Sequence, residues 1–274
     1  MQNRPDPYVI AEIGSTHSGR LPHILDTVTA AASAGANAVK LQWTSAPRRM
    51  RLARRIDAEG AYNELAWDEA WLTAIRPAVK AAGLDLIVTV FLPQDVSTIS
   101  PYVDAFKIAS LEAHHIPMRL AVEEHRGDRP VIISTGACTE RQLQDLLRWR
   151  SMDPKHQTYL LHCTSGYPTP LTETNLRTIG FYALNGFSDH TANIATGGLA
   201  VAAGARILEV HVRHPLTSTT NPDFPHSLTF SQLHEYIGFA RRAALALGTA
   251  RKAIAPSEAI TANHHSEIWE DEPV

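Results

Sequence analysis

The sequence predicts a single α/β domain, a (β/α)8 TIM barrel, and three observations lead to that fold class. Short runs rich in β-branched residues alternate with amphipathic helical segments along the chain, as in parallel strands joined by helices. The pattern repeats about eight times, which is the number that closes such a barrel. The 274 residues are 44% hydrophobic, enough for one large core, and no linker interrupts them.

Eight segments are predicted strands, because each is a short apolar run that ends in polar residues. In chain order they are Tyr8–Gly14, Ala38–Trp43, Leu84–Phe91, Ala105–Ser110, Pro130–Gly136, Thr158–Ser165, Gly186–Thr191 and Ile207–His214. Between them, apolar residues recur at helical spacing, as in Ile24, Val28 and Ala31, and several of these segments end at a glycine such as Gly35. We expect the barrel to occupy residues 1–250 and a polar tail to occupy residues 251–274.

Composition and charge disfavour several classes of function. Lys and Arg (25) nearly balance Asp and Glu (28), so the net charge of -3 points to neither a nucleic-acid nor a membrane partner. No apolar leader or membrane-length segment is apparent, which predicts a cytoplasmic protein. The two cysteines, Cys138 and Cys163, are too few for a disulfide framework and are predicted to be free thiols, Cys163 packing within a strand.

Two histidines stand at the ends of consecutive predicted strands, in Ser188-Asp189-His190-Thr191 and in Glu209-Val210-His211. The carboxyl ends of parallel barrel strands meet at one mouth, where barrel enzymes place their chemistry. Imidazole is the commonest metal-binding side chain, so His190 and His211 are predicted to hold one divalent metal. The alternative is that each histidine is a hydrogen-bonded core residue.

Two lysines lie inside apolar strands, Lys40 in the second and Lys107 in the fourth. A buried ammonium needs an anion or loses its charge, so the pair predicts a bound anion. A structural salt bridge to Glu12 or Glu209 is the competing explanation. A Schiff-base aldolase would also use such a lysine, but the histidine pair favours metal-assisted chemistry.

An irregular stretch, Thr44–Leu65, follows the second strand and contains several arginines. Its composition suits a solvated loop. The alternative is a mobile lid that brings positive charge over an anionic substrate.

An ordered set of motifs resembles the N-acetylneuraminate (sialic acid) synthase family of phosphoenolpyruvate-condensing barrels. The motifs are Ala11-Glu12-Ile13-Gly14 with His17 and Gly19, Ala34-Gly35-Ala36-Asn37-Ala38-Val39-Lys40-Leu41-Gln42, Lys107-Ile108-Ala109-Ser110, Ile133-Ser134-Thr135-Gly136, Leu161-His162-Cys163-Thr164-Ser165 with Tyr167-Pro168, Asn175-Leu176, Ser188-Asp189-His190-Thr191, Glu209 with His211, and Pro222-Asp223 before Ser227-Leu228. They span nearly the whole chain in order.

The resemblance implies that C3 of phosphoenolpyruvate attacks an aldehyde, water adds at C2, and phosphate leaves, giving a 2-keto-3-deoxy acid. It places the catalytic machinery at Glu12, Lys40, Gln42, His190 and His211. It assigns phosphoenolpyruvate to Lys40, Thr89, Lys107, Ser110, Ser134, Asn175 and Ser188. It makes His190 and His211 the ligands of Mn²⁺ or Mg²⁺, and it implies a homodimer.

The departures from the family pattern concern the aldehyde acceptor. Members usually carry an antifreeze-like domain after the barrel, and no such domain is expected here. Thr16, Val90, Leu92, Val210 and Phe224 replace residues usual in the family, and Arg213 and His214 add polar groups after the eighth strand. We therefore expect an acceptor other than N-acetylmannosamine, of sugar or nucleoside type, bound by Gln42, Tyr167, Asp223 and Arg213.

Two other functions remain open on the sequence alone. One is a divalent-metal aldolase or lyase that acts on a related keto acid. The other is a catalytically silent barrel that binds a phosphorylated metabolite, although the retained lysines and histidines argue against it.

Overall fold

The predicted barrel is confirmed. The computed structural model describes residues 6–45, 67, 69–155, 157–249 and 251–262. Eight parallel strands close into a barrel in which each strand pairs with its neighbours in sequence order and β1 pairs with β8. The predicted Thr44–Leu65 loop lies almost wholly outside the described residues.

Each strand is followed by a helix. The strands are β1 (Tyr8–Glu12), β2 (Ala38–Trp43), β3 (Asp85–Val90), β4 (Ala105–Ile108), β5 (Val131–Ser134), β6 (Thr158–Cys163), β7 (Gly186–Asp189) and β8 (Ile207–His211). The helices are α1 (Leu21–Ala34), α2 (Glu69–Ala81), α3 (Val96–Ile99), α4 (Ile116–Arg126), α5 (Glu140–Ser151), α6 (Arg177–Phe181), α7 (Thr196–Ala202) and α8 (Phe230–Leu247).

Most observed strands end earlier at their carboxyl ends than the sequence predicts. The observed β1 ends at Glu12 rather than Gly14, and β8 ends at His211 rather than His214. The backbone turns soon after the ladder ends, as at Gly14, where φ is 53°. The polar residues that end the predicted strands therefore belong partly to the loops of the barrel mouth.

Strand alternation divides the core into two parts, because successive side chains point to opposite faces. The outward residues, such as Val9, Ala11 and Val39, pack under the helices in one large cluster. The inward residues near the strand starts, such as Tyr8 and Ile10, form a second apolar cluster inside the barrel. That inner cluster closes the bottom of the barrel.

Above this apolar floor, the next inward positions are polar. Register pairs Glu12 with Lys40 and Ser188 with Glu209. Thr89 pairs with Lys107 across β3 and β4. The barrel geometry thus brings these buried side chains into one layer below the mouth.

The carboxylate of Asp189, which points outward from β7, hydrogen-bonds to two of the outer helices. Asp189 is buried and accepts hydrogen bonds from Thr196 of α7 and, at 3.1 Å, from the Tyr236 hydroxyl of α8. It also accepts from the Thr191 hydroxyl at 2.7 Å. The loop that begins at His190 is therefore anchored from behind.

Within the described residues, every helix is too short or too polar to cross a membrane. Both cysteines are free, as predicted.

Gly186 is a point where β7 and β8 tolerate no side chain. Gly186→Ala is expected to lower the free energy of unfolding by about 1–3 kcal/mol, because its Cβ would lie 1.9 Å from the Ile207 carbonyl oxygen. Urea-induced unfolding measures the change.

The matched control is Gly238→Ala in α8. Its Cβ would meet only the end of the Arg242 side chain, at 3.2 Å. Alanine favours a helix interior over glycine by about 0.5–1 kcal/mol, so this variant should unfold no more easily than the wild type. Equal stability of Gly186→Ala and the wild type would contradict the close contact between the strands.

Candidate active site

A cavity of about 610 Å³ opens at the carboxyl-terminal mouth of the barrel. Residues from seven of the eight strands or the loops after them line it, including Lys40, Lys107, Ser188, His190 and His211. Its floor is the polar layer that strand alternation places above the apolar cluster. This is the position at which barrel enzymes bind their substrates.

Lys40 is held between two carboxylates on the cavity floor. Its Nζ lies 3.0 Å from Glu12 Oε2 and 3.6 Å from Glu209 Oε1, and it donates to Thr89 Oγ1 at 2.9 Å. Burial works against the Lys40 cation, but Glu12 and Glu209 outweigh it and raise its pKa. The salt-bridge explanation for this lysine therefore applies in the structure.

Glu12 is fully buried, and its carboxyl group titrates near neutral pH. Burial, opposed by Lys40 and reinforced by Glu209, raises the pKa of Glu12 from 4.5 to about 7. Gln42 Nε2 donates to Glu12 Oε1 at 2.7 Å, which fixes the carboxyl group. Glu12 thus supports Lys40 and Gln42 from beneath the cavity.

Lys107 is held by a serine hydroxyl, a backbone carbonyl and a carboxylate. Its Nζ donates to Ser134 Oγ at 2.7 Å and to the Ile108 carbonyl at 3.2 Å, and lies 3.9 Å from Glu209 Oε1. Burial lowers the pKa of Lys107, although Glu209 opposes that shift. Ser188 Oγ donates to the same Glu209 oxygen at 3.1 Å. Both lysines therefore share one carboxylate.

His211, Asp223 and His226 form a group whose ligand atoms all lie within 4.8 Å of one another. His211 Nδ1 is 3.8 Å from Asp223 Oδ2, and His226 Nε2 is 3.5 Å from Asp223 Oδ1. His211 Nδ1 and both ring nitrogens of His226 are buried without a hydrogen-bond partner. Burial holds the pKa of His211 well below its ordinary value, which keeps the imidazole neutral.

This donor set fits a divalent metal. Metal binding needs neutral imidazole and ionised carboxylate. His226 and His211 hold the pKa of Asp223 below its ordinary range against the opposing effect of burial. Two nitrogens and one carboxylate suit Mn²⁺ or another transition metal better than Mg²⁺, which prefers oxygen ligands.

His190 stands beside this group. Its ring centre lies 5.4 Å from that of His211 and 5.9 Å from that of His226. Its Nδ1 is 3.0 Å from the Thr164 carbonyl oxygen and 3.9 Å from Cys163 Sγ. The two histidines predicted to hold the metal are thus adjacent in space, and Asp223 and His226 bring further candidate ligand atoms close to His211.

Asp223 is positioned by the loop after β1. The Ser15 amide donates to Asp223 Oδ2 at 2.7 Å, and Ser15 Oγ donates to Asn221 Oδ1 at 2.8 Å. A Cβ on Gly14 would lie 2.3 Å from Asp223 Oδ2, so this close approach requires glycine. The loops after β1 and β8 are therefore joined at the carboxylate.

Most predicted site residues meet at the cavity. Of the residues predicted to bind phosphoenolpyruvate, those that line it are Lys40, Thr89, Lys107, Ser110, Ser134 and Ser188, and of those predicted to bind the acceptor, Gln42, Tyr167 and Asp223 line it. Asn175 is exposed and outside the lining, where its amide donates to the Glu173 carbonyl at 3.3 Å. Arg213 also lies outside the lining.

The substitutions predicted to cluster at the acceptor side do not line the cavity. Val90 and Val210 point outward into the core beneath the helices. Thr16 donates to the backbone carbonyls of Ile13 and Val212 at 2.6 and 2.8 Å. Adjacent strand positions face opposite sides, so Val90 and Val210 point away from the cavity although their neighbours in sequence line it.

His214 likewise lies outside the cavity lining. It stacks on His23 at 4.0 Å between ring centres. Its Nε2 lies 3.3 Å from Asp26 Oδ2.

Several lining residues are not among the predicted site residues, and Glu112, Cys163 and His226 are three of them. Glu112 follows Ser110 by two positions, Cys163 lies at the end of β6, and His226 lies in the loop after β8. Cys163 was expected only to pack within its strand, yet its Sγ accepts from Ser110 Oγ at 3.6 Å. A search for polar residues just beyond each strand end would have included Glu112.

The raised pKa of Glu12 predicts a pH dependence of stability. The folded state binds the Glu12 proton more tightly than the unfolded state does, so this stabilisation is complete below pH 4.5 and is lost as pH rises through about 7. The Glu12→Gln variant has no ionisable group at this position and therefore serves as the reference.

The free energy of unfolding of the wild type, minus that of Glu12→Gln, should therefore fall between pH 4.5 and about 7. The scale is about 1.4 kcal/mol per unit of pKa shift. Urea titrations of both proteins across this range measure the difference, and a constant difference would show that Glu12 does not titrate there.

Comparison with known proteins places the chain in a family. The NeuB family model matches residues 27–252. A pseudaminic acid synthase of Campylobacter jejuni is 30% identical in an alignment 263 residues long, which covers 88% of this chain and 75% of that protein. An N,N'-diacetyllegionaminic acid synthase of Legionella pneumophila is 28% identical, over 92% of this chain and 76% of that protein.

The fold agrees with this assignment. The crystal structure of an N-acetylneuraminic acid synthetase from Leptospira borgpetersenii matches with a TM-score of 0.86 and 23% identity, over 97% of this chain and 93% of that one. The chain therefore belongs to the NeuB family, and the predicted assignment as an enzyme of the sialic acid synthase type is confirmed.

Proposed function

We propose that this protein condenses phosphoenolpyruvate with a sugar-type aldehyde, with addition of one water molecule at C2, to give a 2-keto-3-deoxy acid and phosphate. One observation supports the proposal. Two buried lysines, with serine and threonine hydroxyl groups beside them, line the same cavity as a group of side chains that could bind a metal. The first feature suits an anionic donor, and the second suits activation of a carbonyl acceptor.

The donor side is the cavity floor. Lys107 with Ser110, Ser134 and Ser188 offers charge and hydroxyl donors to a phosphate group, and Lys40 with Thr89 offers the same to a carboxylate. Lys40 and Lys107 supply two positive charges, and Glu209 supplies one negative charge. Glu12 supplies a second negative charge only when it loses its proton. The floor is therefore suited to an anion at neutral pH.

The metal side is formed by the end of β8 and the loop that follows it. His211, Asp223 and His226 would hold a divalent cation, for which Mn²⁺ is the proposal, and His190 stands next to them. Such a metal, when bound, would act as a Lewis acid towards the acceptor aldehyde. Gln42, which lines the cavity and is fixed by Glu12, is placed to bind an acceptor hydroxyl.

The chain's own residues align the donor for attack. Lys40 and Lys107 hold the two anionic ends of phosphoenolpyruvate, which fixes its C3 relative to the acceptor wall. As phosphate leaves, Lys107 and the surrounding serines compensate its growing charge. Glu12, with a pKa of about 7, can hold or give up a proton beside Lys40 during turnover.

We propose that the acceptor is an aldehyde other than N-acetylmannosamine. The support is that relatives at 28% to 30% identity are named for pseudaminic and legionaminic acids. The homodimer, the cytoplasmic location and a barrel confined to residues 1–250 remain predictions.

Lys107→Met tests the donor site. Removing one partner from a buried charged contact typically costs 2–5 kcal/mol, so kcat/KM for phosphoenolpyruvate should fall by about 10²-fold or more. The assay measures phosphate release with Mn²⁺ across a panel of aldehydes that includes N-acetylmannosamine, together with calorimetric binding of phosphoenolpyruvate.

Lys155→Met is the control for that test, because Lys155 pairs with Asp128 at 3.1 Å on the surface. It should retain wild-type kinetics. Undiminished binding of phosphoenolpyruvate by Lys107→Met would exclude the proposed phosphate site.

His226→Ala, compared with His190→Ala, tests the metal site. Loss of an outer-shell partner alone costs about 10–100-fold in metal affinity, so loss of His226 should weaken Mn²⁺ binding at least that much. His190→Ala should weaken it less, because His190 lies outside the ligand group. Calorimetric titration with Mn²⁺ without substrate measures both, and the reverse order would favour the His190–His211 ligand pair.

A further inference from the structure

Arg213 lies just beyond β8 and reaches across the turn that carries His226. Its Nη1 donates to the Ser227 carbonyl and, at 3.4 Å, to the Phe224 carbonyl. Its guanidinium carbon lies 4.5 Å from the centre of the Phe224 ring. The edge of the guanidinium thus holds the backbone of the turn while its face covers Phe224.

The two loop ligands at this turn are held differently. Asp223 is fixed by the Ser15 amide, and its own amide donates to Asn221 Oδ1 at 3.0 Å. The ring nitrogens of His226 make no well-formed hydrogen bond, and the nearest polar contact is Nε2 to Asp223 Oδ1 at 3.5 Å. Apart from that contact, the orientation of His226 depends on ring packing and on the backbone of its turn.

The hydrogen bonds from Arg213 stabilise the part of the backbone that makes few hydrogen bonds of its own. Phe224–His226 is a single 3-10 turn, so few of its own hydrogen bonds stabilise it. The two carbonyls that Arg213 engages lie on either side of His226 in sequence. A change at Arg213 would thus move His226 while leaving the Ser15 contact of Asp223 in place.

We propose that Arg213 and Phe224 form a clamp that positions His226 for metal binding. Arg213 is then a positioning residue for the divalent cation rather than a contact of the acceptor, and this inference rests on the metal site of the proposed function. It also connects two departures from the family pattern, since Phe224 follows Asp223 where a histidine is usual and His226 stands two residues later.

The test is Mn²⁺ affinity without substrate, measured by calorimetry and by the electron paramagnetic resonance signal of free Mn²⁺. Arg213→Ala should weaken binding about tenfold, in the range of a lost outer-shell contact. Arg213→Lys should recover part of this affinity, because lysine can donate to a carbonyl but lacks the planar group that covers Phe224.

Arg241→Ala is the matched control. Arg241 is another arginine that donates to a backbone carbonyl, that of Gly35 at 2.8 Å, between α8 and α1. Its loss should leave Mn²⁺ affinity unchanged. Thermal unfolding of both alanine variants separates a local change at the turn from a general loss of stability.

A double-mutant cycle tests whether the clamp acts as one unit. Phe224→Leu should weaken Mn²⁺ binding by itself and add little to Arg213→Ala, because the two side chains are in direct contact. Fully additive effects would show that they act separately and would overturn the clamp.

Three further outcomes would overturn the inference. The first is an Arg213→Ala variant with wild-type Mn²⁺ affinity, including one in which only the KM of the acceptor rises. The second is an equal loss of affinity in Arg241→Ala. The third is a wild-type protein that binds no Mn²⁺; binding of phosphoenolpyruvate, and its loss in Lys107→Met, would still test the donor site of the proposed function separately.

Discussion

The shared carboxylate of Glu209 is the interaction on which the rest of the barrel mouth depends. Lys40 and Lys107 lie 3.6 and 3.9 Å from the same oxygen. Two neighbouring cations in apolar strands would be costly without it, because an uncompensated buried charge destabilises the fold. Yet Glu209 compensates for only one of them, and Glu12 compensates for the other only when ionised. This incomplete balance leaves the floor able to take up an anionic substrate.

Strand alternation explains why this charged layer lies where it does. Inward positions alternate along each strand, so β1 places Ile10 in the apolar floor and Glu12 above it. The same step leads from Ala105 to Lys107 in β4 and from Ile207 to Glu209 in β8. The hydrophobic floor and the polar mouth are thus two consequences of one periodicity. A substitution in the charged layer is expected to affect folding as well as substrate binding.

The sequence was sufficient to predict what this periodicity controls. The fold class, the buried positions of both lysines and the histidines at the strand ends followed from the pattern. Each lysine lies near a carboxylate, as the salt-bridge explanation expects, and the bound anion stays a prediction. Loop geometry was not accessible in the same way. His226 is brought to His211 by a turn between Asn221 and Leu228 that has no repeating pattern, and Arg213 was assigned to the acceptor because its backbone contacts leave no trace in the sequence.

The floor of the cavity and its metal-side wall are consequently held in place in different ways. The lysines stand on strands whose backbone is paired on both sides, so their positions are tied to the closed barrel. Asp223 and His226 instead stand on a loop that is held by a few contacts from Ser15, Asn221 and Arg213. Barrel enzymes diversify through such loops while the strands stay constant. A change such as Phe224 with Arg213 can therefore alter the wall proposed for the metal and the acceptor without disturbing the floor proposed for the donor.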